Sequence, residues 1–431
     1  MKHLAGESNK IEFKKYKIQN GRNIYYIKTD KFKTNSINLF IHNQLDRSIV
    51  TQNALLPMVL RRGSKDYPTM QDLSKKLEDL YGSSFNFGVT KKGERQILHF
   101  YIDSINDKYL QSDERLFDEC INVLNSVISN PLTENGNFRN EYVNQEKENL
   151  SNLIRSRIND KVQYAVERCY ELMCSEEKFG IYELGTIEDL QKINGADLLG
   201  RYKDTISNSK MDIIVLGDIE DEWLERLEKS INLNPNSSNV IDKENIKKEV
   251  KQPKIFIEDM NVNQGKLSLG FRTNINAADP DYYALMICNS VLGGGVHSKL
   301  FQNVREKASL AYYAFARLEK FKGLMIISSG IEADNYDKTR EIILKQIYEI
   351  KRGNITEFEF QSSIKTLENA YRAMGDESLQ MVDFFLGQTI LGMDDNFETI
   401  INKVKNVKVD DVVKVAENIE LDTIHFIKPK A

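Results

Sequence analysis

The stretch LPMVLRRGSKDYPTMQDLSKKLEDLYG (Leu56–Gly82) lies without a gap over ICNSVLGGGVHSKLFQNVREKASLAYY (Ile287–Tyr313). Gly63 falls on Gly294, Leu73 on Val304 and Tyr81 on Tyr312, each pair 231 residues apart. Self-similarity at so long a spacing says that one unit is encoded twice. The chain has 431 residues, too many for a single ordinary core and suited to two domains of roughly 200 residues each.

The flanks repeat as well. SINLFIHNQ (Ser36–Gln44) and KLSLGFRTN (Lys266–Asn274) alternate as strands do, just ahead of the helical stretch. RQILHFYIDSI (Arg95–Ile105) and GLMIISSGIEA (Gly323–Ala333) supply a strand after it. LFDECINVLNSVI (Leu116–Ile128) and TREIILKQIYEIK (Thr339–Lys351) are amphipathic helices in matching places. Each half reads strand, strand, helix, helix, strand, strand, then paired helices. The fold expected is α+β, with two homologous domains closing as a clamshell. Each domain is a mixed or antiparallel β-sheet with helices packed on one face. INLNPNSSNVIDKENIKKEVKQPK (Ile231–Lys254), rich in Asn and Ser and then in charge, reads as a linker. That sets a first domain at 1–230, the linker at 231–254 and a second domain at 255–431. A groove between two such halves is a frequent ligand site.

Composition removes several classes of function. A 41% hydrophobic and 29% charged chain is globular, neither disordered nor fibrous. The net charge of −5, with both signs interspersed, offers no basic surface for nucleic acid. No run of about 18 apolar residues is present, so no membrane span is expected. The opening MKHLAGESNKIEFKKYK has no apolar stretch that suits a signal peptide, which makes the cytoplasm the expected location. Cys120, Cys169, Cys174 and Cys288 are widely spaced and read as buried thiols.

GGGVHSK (Gly293–Lys299) invites comparison with a phosphate loop. That loop needs G-x-x-x-x-G-K-[ST]; Ser298 stands in place of the second glycine and Leu300 in place of the hydroxyl, so nucleotide binding is excluded. The triplet reads as a helix C-cap, where glycine takes positive φ, or as a groove wall. A catalytic zinc needs three ligands, two of them usually close in sequence. The histidines are His3, His42, His99, His297 and His425, and no two lie at helical spacing. His297, beside the glycines, is the one in a plausible groove, and it reads first as a satisfied histidine. There is no G-x-S-x-G elbow and no Cys/His setting for a nucleophile.

The two-half repeat, the RRGSKDYPT turn (Arg61–Thr69) and above all REKASLAYY (Arg305–Tyr313) resemble the pitrilysin/insulinase family, the inverzincin zinc peptidases. The resemblance runs from about residue 15 to about residue 425. In active members His-x-x-Glu-His supplies two zinc ligands and a general base, and a glutamate on a later helix supplies the third ligand. Carried over, the first ligand position is Asn53, the base Leu56 and the second ligand Pro57. The later position falls on Leu153 in EKENLSNL, with Glu146 and Glu148 near enough to leave a one-turn slip open. Leucine cannot move a proton and proline cannot bind a metal, so this half cannot activate water. The resemblance implies no zinc on this chain.

It also implies an arginine and a tyrosine, seven residues apart, that hold the substrate backbone over the zinc. Arg305 and Tyr312 stand at that spacing. Seven residues is about two turns of helix, which aims both groups at one spot. There they could donate hydrogen bonds to a carbonyl gaining negative charge. The bland alternative has Tyr312 packing a helix end, as its repeat Tyr81 suggests, and Arg305 solvated; Ser74 at the repeated position shows that the fold itself does not ask for arginine. The implied function is the zinc-less subunit of a heterodimeric metallopeptidase that processes peptides. Zinc is then expected in a homologous partner carrying His-x-x-Glu-His. A non-proteolytic peptide-binding or structural scaffold is the alternative, and a lone peptidase with an unfamiliar metal arrangement is a third reading. Self-association of the isolated chain stays open.

Overall fold

The computed structural model describes residues 11–430 apart from 20, 112–113, 234, 237–240 and 243. The first ten residues, with His3, and residues 234, 237–240 and 243 of the expected linker lie outside the described residues. The chain forms two compact units.

The first unit takes the chain up to Arg155, then Tyr182–Asp242 and Asp376–Leu386. It opens with strands β1 (Glu12–Ile18), β2 (Arg22–Lys28) and β3 (Thr34–Gln44) and helices α1 (Val50–Arg62) and α2 (Met70–Asp79). The hairpin β4 (Ser84–Lys92) and β5 (Arg95–Ile105) follows, then helices α3 (Leu116–Ser129) and α4 (Asn140–Ser156). Helix α5 (Lys161–Met173) belongs to the second unit, and the chain returns with α6 (Gly195–Asn208) and strand β6 (Lys210–Gly217). The sheet order is β1-β2-β6-β3-β5-β4, with β2 and β6 parallel and the other neighbours antiparallel. Ile37, Leu39 and Ile41 of β3 enter one core with Leu55 and Val59 of α1, Phe117 and Leu124 of α3 and Leu198 of α6. The alternate residues Asn38, Phe40 and His42 point to the other face. Thr69 and Asp72 close a capping box that starts α2.

The second unit comprises Ser156–Ile181, Lys243–Gly375 and Gly387–Ala431. It contains β7 (Lys254–Met260), β8 (Gly265–Arg272), α7 (Tyr282–Gly293), a π-helical turn at Phe301–Lys307, β9 (Ala311–Glu319) and β10 (Leu324–Ile331). Helices α8 (Tyr336–Lys351), α9 (Glu357–Met374) and α10 (Ser378–Leu391) and strand β11 (Glu420–Pro429) complete the elements used below. Its sheet order is β9-β10-β8-β11-β7, with β11 and β7 parallel and the rest antiparallel. Strand for strand, β2-β6-β3-β5-β4 matches β7-β11-β8-β10-β9 in order and in direction. The duplicated α+β fold is therefore the one observed, with β1 an addition of the first unit.

Two segments pack away from their own half of the sequence. Helix α5, from the first half, lies on the second unit's sheet, on the face opposite Leu267, Leu269 and Phe271. Its stripe of Ala165, Val166, Cys169 and Met173 is buried. A Cβ on Gly270 of β8 would come within 2.8 Å of Met173 Sδ, so the glycine is what lets α5 approach so closely. His425 of β11 meets the Ala165 carbonyl at 3.3 Å. Behind the helix, buried Glu177 accepts from Arg272 at 2.7 Å and from Lys248 and Lys322 at 2.9 Å each. Reciprocally, Asp376–Leu386, which includes the opening turns of α10, packs in the first unit: Phe385 stacks on Phe13 at 4.4 Å and Asp383 pairs with Lys92 at 2.6 Å. Contact therefore does not divide the chain at the linker alone.

The ungapped repeat slips after the second helix of each half. Tyr81 lies in a left-handed turn (φ 56°) ahead of β4, whereas Tyr312 lies inside β9. They are not structural equivalents, because the first half ends this helix as an α-helix and the second ends it as a wider π-turn.

Candidate functional site

Helix α1 is apolar nearly all round, so it is buried nearly all round, from Val50 to Leu60 with Gln52 as the partial exception. Asn53, at the first expected ligand position, is fully buried. Its Nδ2 donates to Gln96 Oε1 at 2.8 Å and its Oδ1 accepts from Arg201 Nε at 2.7 Å. Gln96 donates onward to the carbonyls of Val50 and Glu183, and Arg201 to Asn43 and Asp204. An amide engaged at both ends is a structural tie. Leu56, at the base position, sits in the apolar core. Pro57 is buried inside the helix and has no N–H to give the Asn53 carbonyl one turn back. On α4, Leu153 is 50% exposed, Glu148 is exposed, and buried Glu146 accepts from Arg62 Nε.

A zinc ion does not fit these residues. One committed amide, two leucines and a proline offer neither an imidazole nor an anion. Among the described residues, no three His, Cys, Asp or Glu side chains come together to hold a metal ion.

In the second half, α7 packs end-on against β9. A Cβ on Gly293 would lie 2.3 Å from the Ala316 nitrogen, so glycine is required there by close approach. The expected positive-φ cap is displaced: Gly294, the C-cap, has φ −88°, and Gly295 takes the positive value, φ 157°. His297 is buried and paired with Ser363 Oγ at 3.0 Å, a satisfied histidine whose pKa burial lowers.

Arg305 sits on the π-turn with its side chain 47% exposed. The guanidinium lies over the Phe301 ring at 4.8 Å and beside Glu306 at 3.8 Å. Tyr312 is 58% exposed, and its hydroxyl donates to Glu332 Oε1 at 3.0 Å, which raises the phenol's pKa. Gln264 is also within its hydrogen-bonding reach. The expectation that two helical turns align the pair is overturned. The π-turn ends at Lys307, Ser309 adopts φ 52°, and Tyr312 is the extra residue of a bulge between Ala311 and Tyr313. A bulge re-aims the side chain it carries and marks functional edges. Among the described residues, no hydrogen bond or ring contact joins Arg305 to Tyr312. Phe301, Gln264 and Glu332 were missed from the sequence; only Phe301, four residues before Arg305, left a signal there.

The model of the Peptidase M16 inactive domain matches residues 192–367. Over 409 residues, 95% of this chain and 96% of the relative, the sequence is 34% identical to the protein named "Probable inactive metalloprotease YmfF" of Bacillus subtilis. This chain belongs to the pitrilysin/insulinase, or M16, family. The same species has another similar protein, named "Uncharacterized zinc protease YmxG", 26% identical over 243 residues, which covers 55% of this chain and 58% of that one. Among solved structures, a conserved protein from Enterococcus faecalis superposes with a TM-score of 0.89 at 29% identity, over 97% of this M16 chain and 99% of that one. The chain is an M16 metalloprotease homologue of the inactive type.

Proposed function

We propose that this M16 chain is the zinc-less subunit of a two-chain metallopeptidase acting on peptides. A homologous partner with an intact His-x-x-Glu-His supplies the metal and the base. This chain supplies substrate binding and, from Arg305 and Tyr312, hydrogen bonds to the carbonyl under attack. The observation that carries the reading is an asymmetry between the halves. Where the first half has an ordinary capped α-helix, the second has a π-turn and a bulge, and each presents one of the two exposed donors. π-turns inside helices are frequent at functional sites. The coexistence of an inactive-type and a zinc-protease relative in Bacillus subtilis supports the pairing.

The planar guanidinium of Arg305 presents several N–H donors and can hold a backbone carbonyl. Tyr312 must exchange Glu332 for the substrate oxygen as it donates. The test is co-expression of this chain with an intact homologue from the same organism, assayed on a mixture of fluorogenic peptides. Cleavage should need both chains, and Arg305→Ala should lower kcat by about 10²-fold, as loss of an oxyanion donor does, with Tm unchanged. Chelator-sensitive cleavage by this chain alone would overturn the proposal. No cleavage by the pair would leave the scaffold reading standing.

A further inference from the structure

The two sheets differ at one edge. In the first unit β2 carries β1 on its outer side, antiparallel, and its side chains are buried from Arg22 to Ile27. β1 in turn shows Lys14 and Lys15 to solvent, the usual way to blunt an edge, with Ile18 exposed at its last position. In the second unit the matching strand β7 has β11 on one side and, among the described residues, no strand on the other. Its sequence is KIFIEDM, and Ile255 and Ile257, on the same face, are 54% and 55% exposed. An edge that displays two isoleucines and no lysine in its middle is a template for another strand.

We propose that β7 pairs with β7 of a second copy of this chain, antiparallel about a two-fold axis at Phe256. The choice of occupant comes from the strand's complementarity to itself. In this register Ile255 faces the partner's Ile257 and Lys254 faces the partner's Glu258, and the symmetry makes each match twice. Glu258 is already oriented by Arg168 at 2.9 Å and by His425 at 3.3 Å. Shifting the axis to Ile257 sets Ile255 against the partner's Asp259 and Phe256 against the partner's Glu258, and both matches are lost. The first half shows that this position of the fold accepts an antiparallel neighbour, because β1 occupies it there.

Sedimentation velocity on the full chain is the first test. The wild type should run as a dimer at micromolar concentration and Ile257→Lys as a monomer with an unchanged Tm. Should Ile257→Lys fail to fold, cross-linking decides, and the four native cysteines are all buried and do not interfere. Adjacent antiparallel pairs alternate between closer and wider spacing. Either Phe256→Cys alone, or Ile255→Cys mixed with Ile257→Cys, should therefore oxidise to a linked dimer, while Ile257→Cys alone should not. A wild type that stays monomeric at every concentration, a dimer that survives Ile257→Lys, or a link formed by Ile257→Cys alone would each overturn the proposal. So would a chain that is monomeric alone and uses β7 only to join the zinc-bearing homologue.

Discussion

Asn53 is held at both ends of its amide, and the tie can be weighed. Asn53→Leu leaves Gln96 and Arg201 each short of a buried partner, at a cost of about 1–3 kcal/mol. Urea unfolding should show a lower midpoint with an unchanged slope. Rebuilding the family motif by Asn53→His, Leu56→Glu and Pro57→His should not recover a zinc enzyme. The new glutamate enters an apolar core without a partner, so Tm should fall, and metal analysis should find less than one zinc per chain. That Asn53, Leu56 and Pro57 carry no imidazole and no carboxylate was legible in the sequence, since donor atoms are a property of the side chain alone. The tie was not. Gln96 and Arg201 lie 43 and 148 residues from Asn53, and only the fold brings them to it.

At the scale of elements, the end of α7 and the turn after it govern how Arg305 is presented. Gly293→Ala drives a methyl group to 2.3 Å from the Ala316 nitrogen and 2.9 Å from the Phe315 carbonyl carbon. Backbone cannot yield as a side chain can, so the expected cost is about 1–3 kcal/mol, read by thermal unfolding. Because β9 carries Tyr312, the proposed function adds that the same variant weakens peptide cleavage by the co-expressed pair. Arg305 and Tyr312 were legible as residue types at a fixed spacing, while their setting on a π-turn and a bulge was not. A π-turn and a bulge each come from one residue more than a regular element accommodates, and apolar periodicity shows neither.

At the scale of the molecule, each unit contains a segment from the other half of the sequence. Neither half, expressed alone from a cut at the linker, should therefore show a cooperative transition by calorimetry. Glu177 makes this cohesion sensitive to acid. Burial pushes its carboxyl up, but hydrogen bonds from Arg272, Lys322 and Lys248 outweigh that and hold it at about 2, below the ordinary 4.5. A carboxyl held low contributes stability above its unfolded value and loses it as the pH falls toward the folded one. Roughly 3 kcal/mol should therefore disappear between pH about 5 and about 2. Glu177→Gln should lower Tm at neutral pH and flatten that acid limb. The duplicated sheets were legible because hydrophobic patterns repeat with the strands. The exchange was not, because the stripe on α5 is the same whichever sheet it meets.

The placement of α5 also sets a timetable for synthesis. When this helix leaves the ribosome, strands β8, β10 and β11, against which its stripe of Val166, Cys169 and Met173 packs, have yet to be translated. At roughly 5–20 residues per second the last of them follows after tens of seconds. For that interval the nascent chain carries a sticky, unclaimed helix, and a chaperone able to shield it should raise the yield of folded protein more than lowering the temperature does.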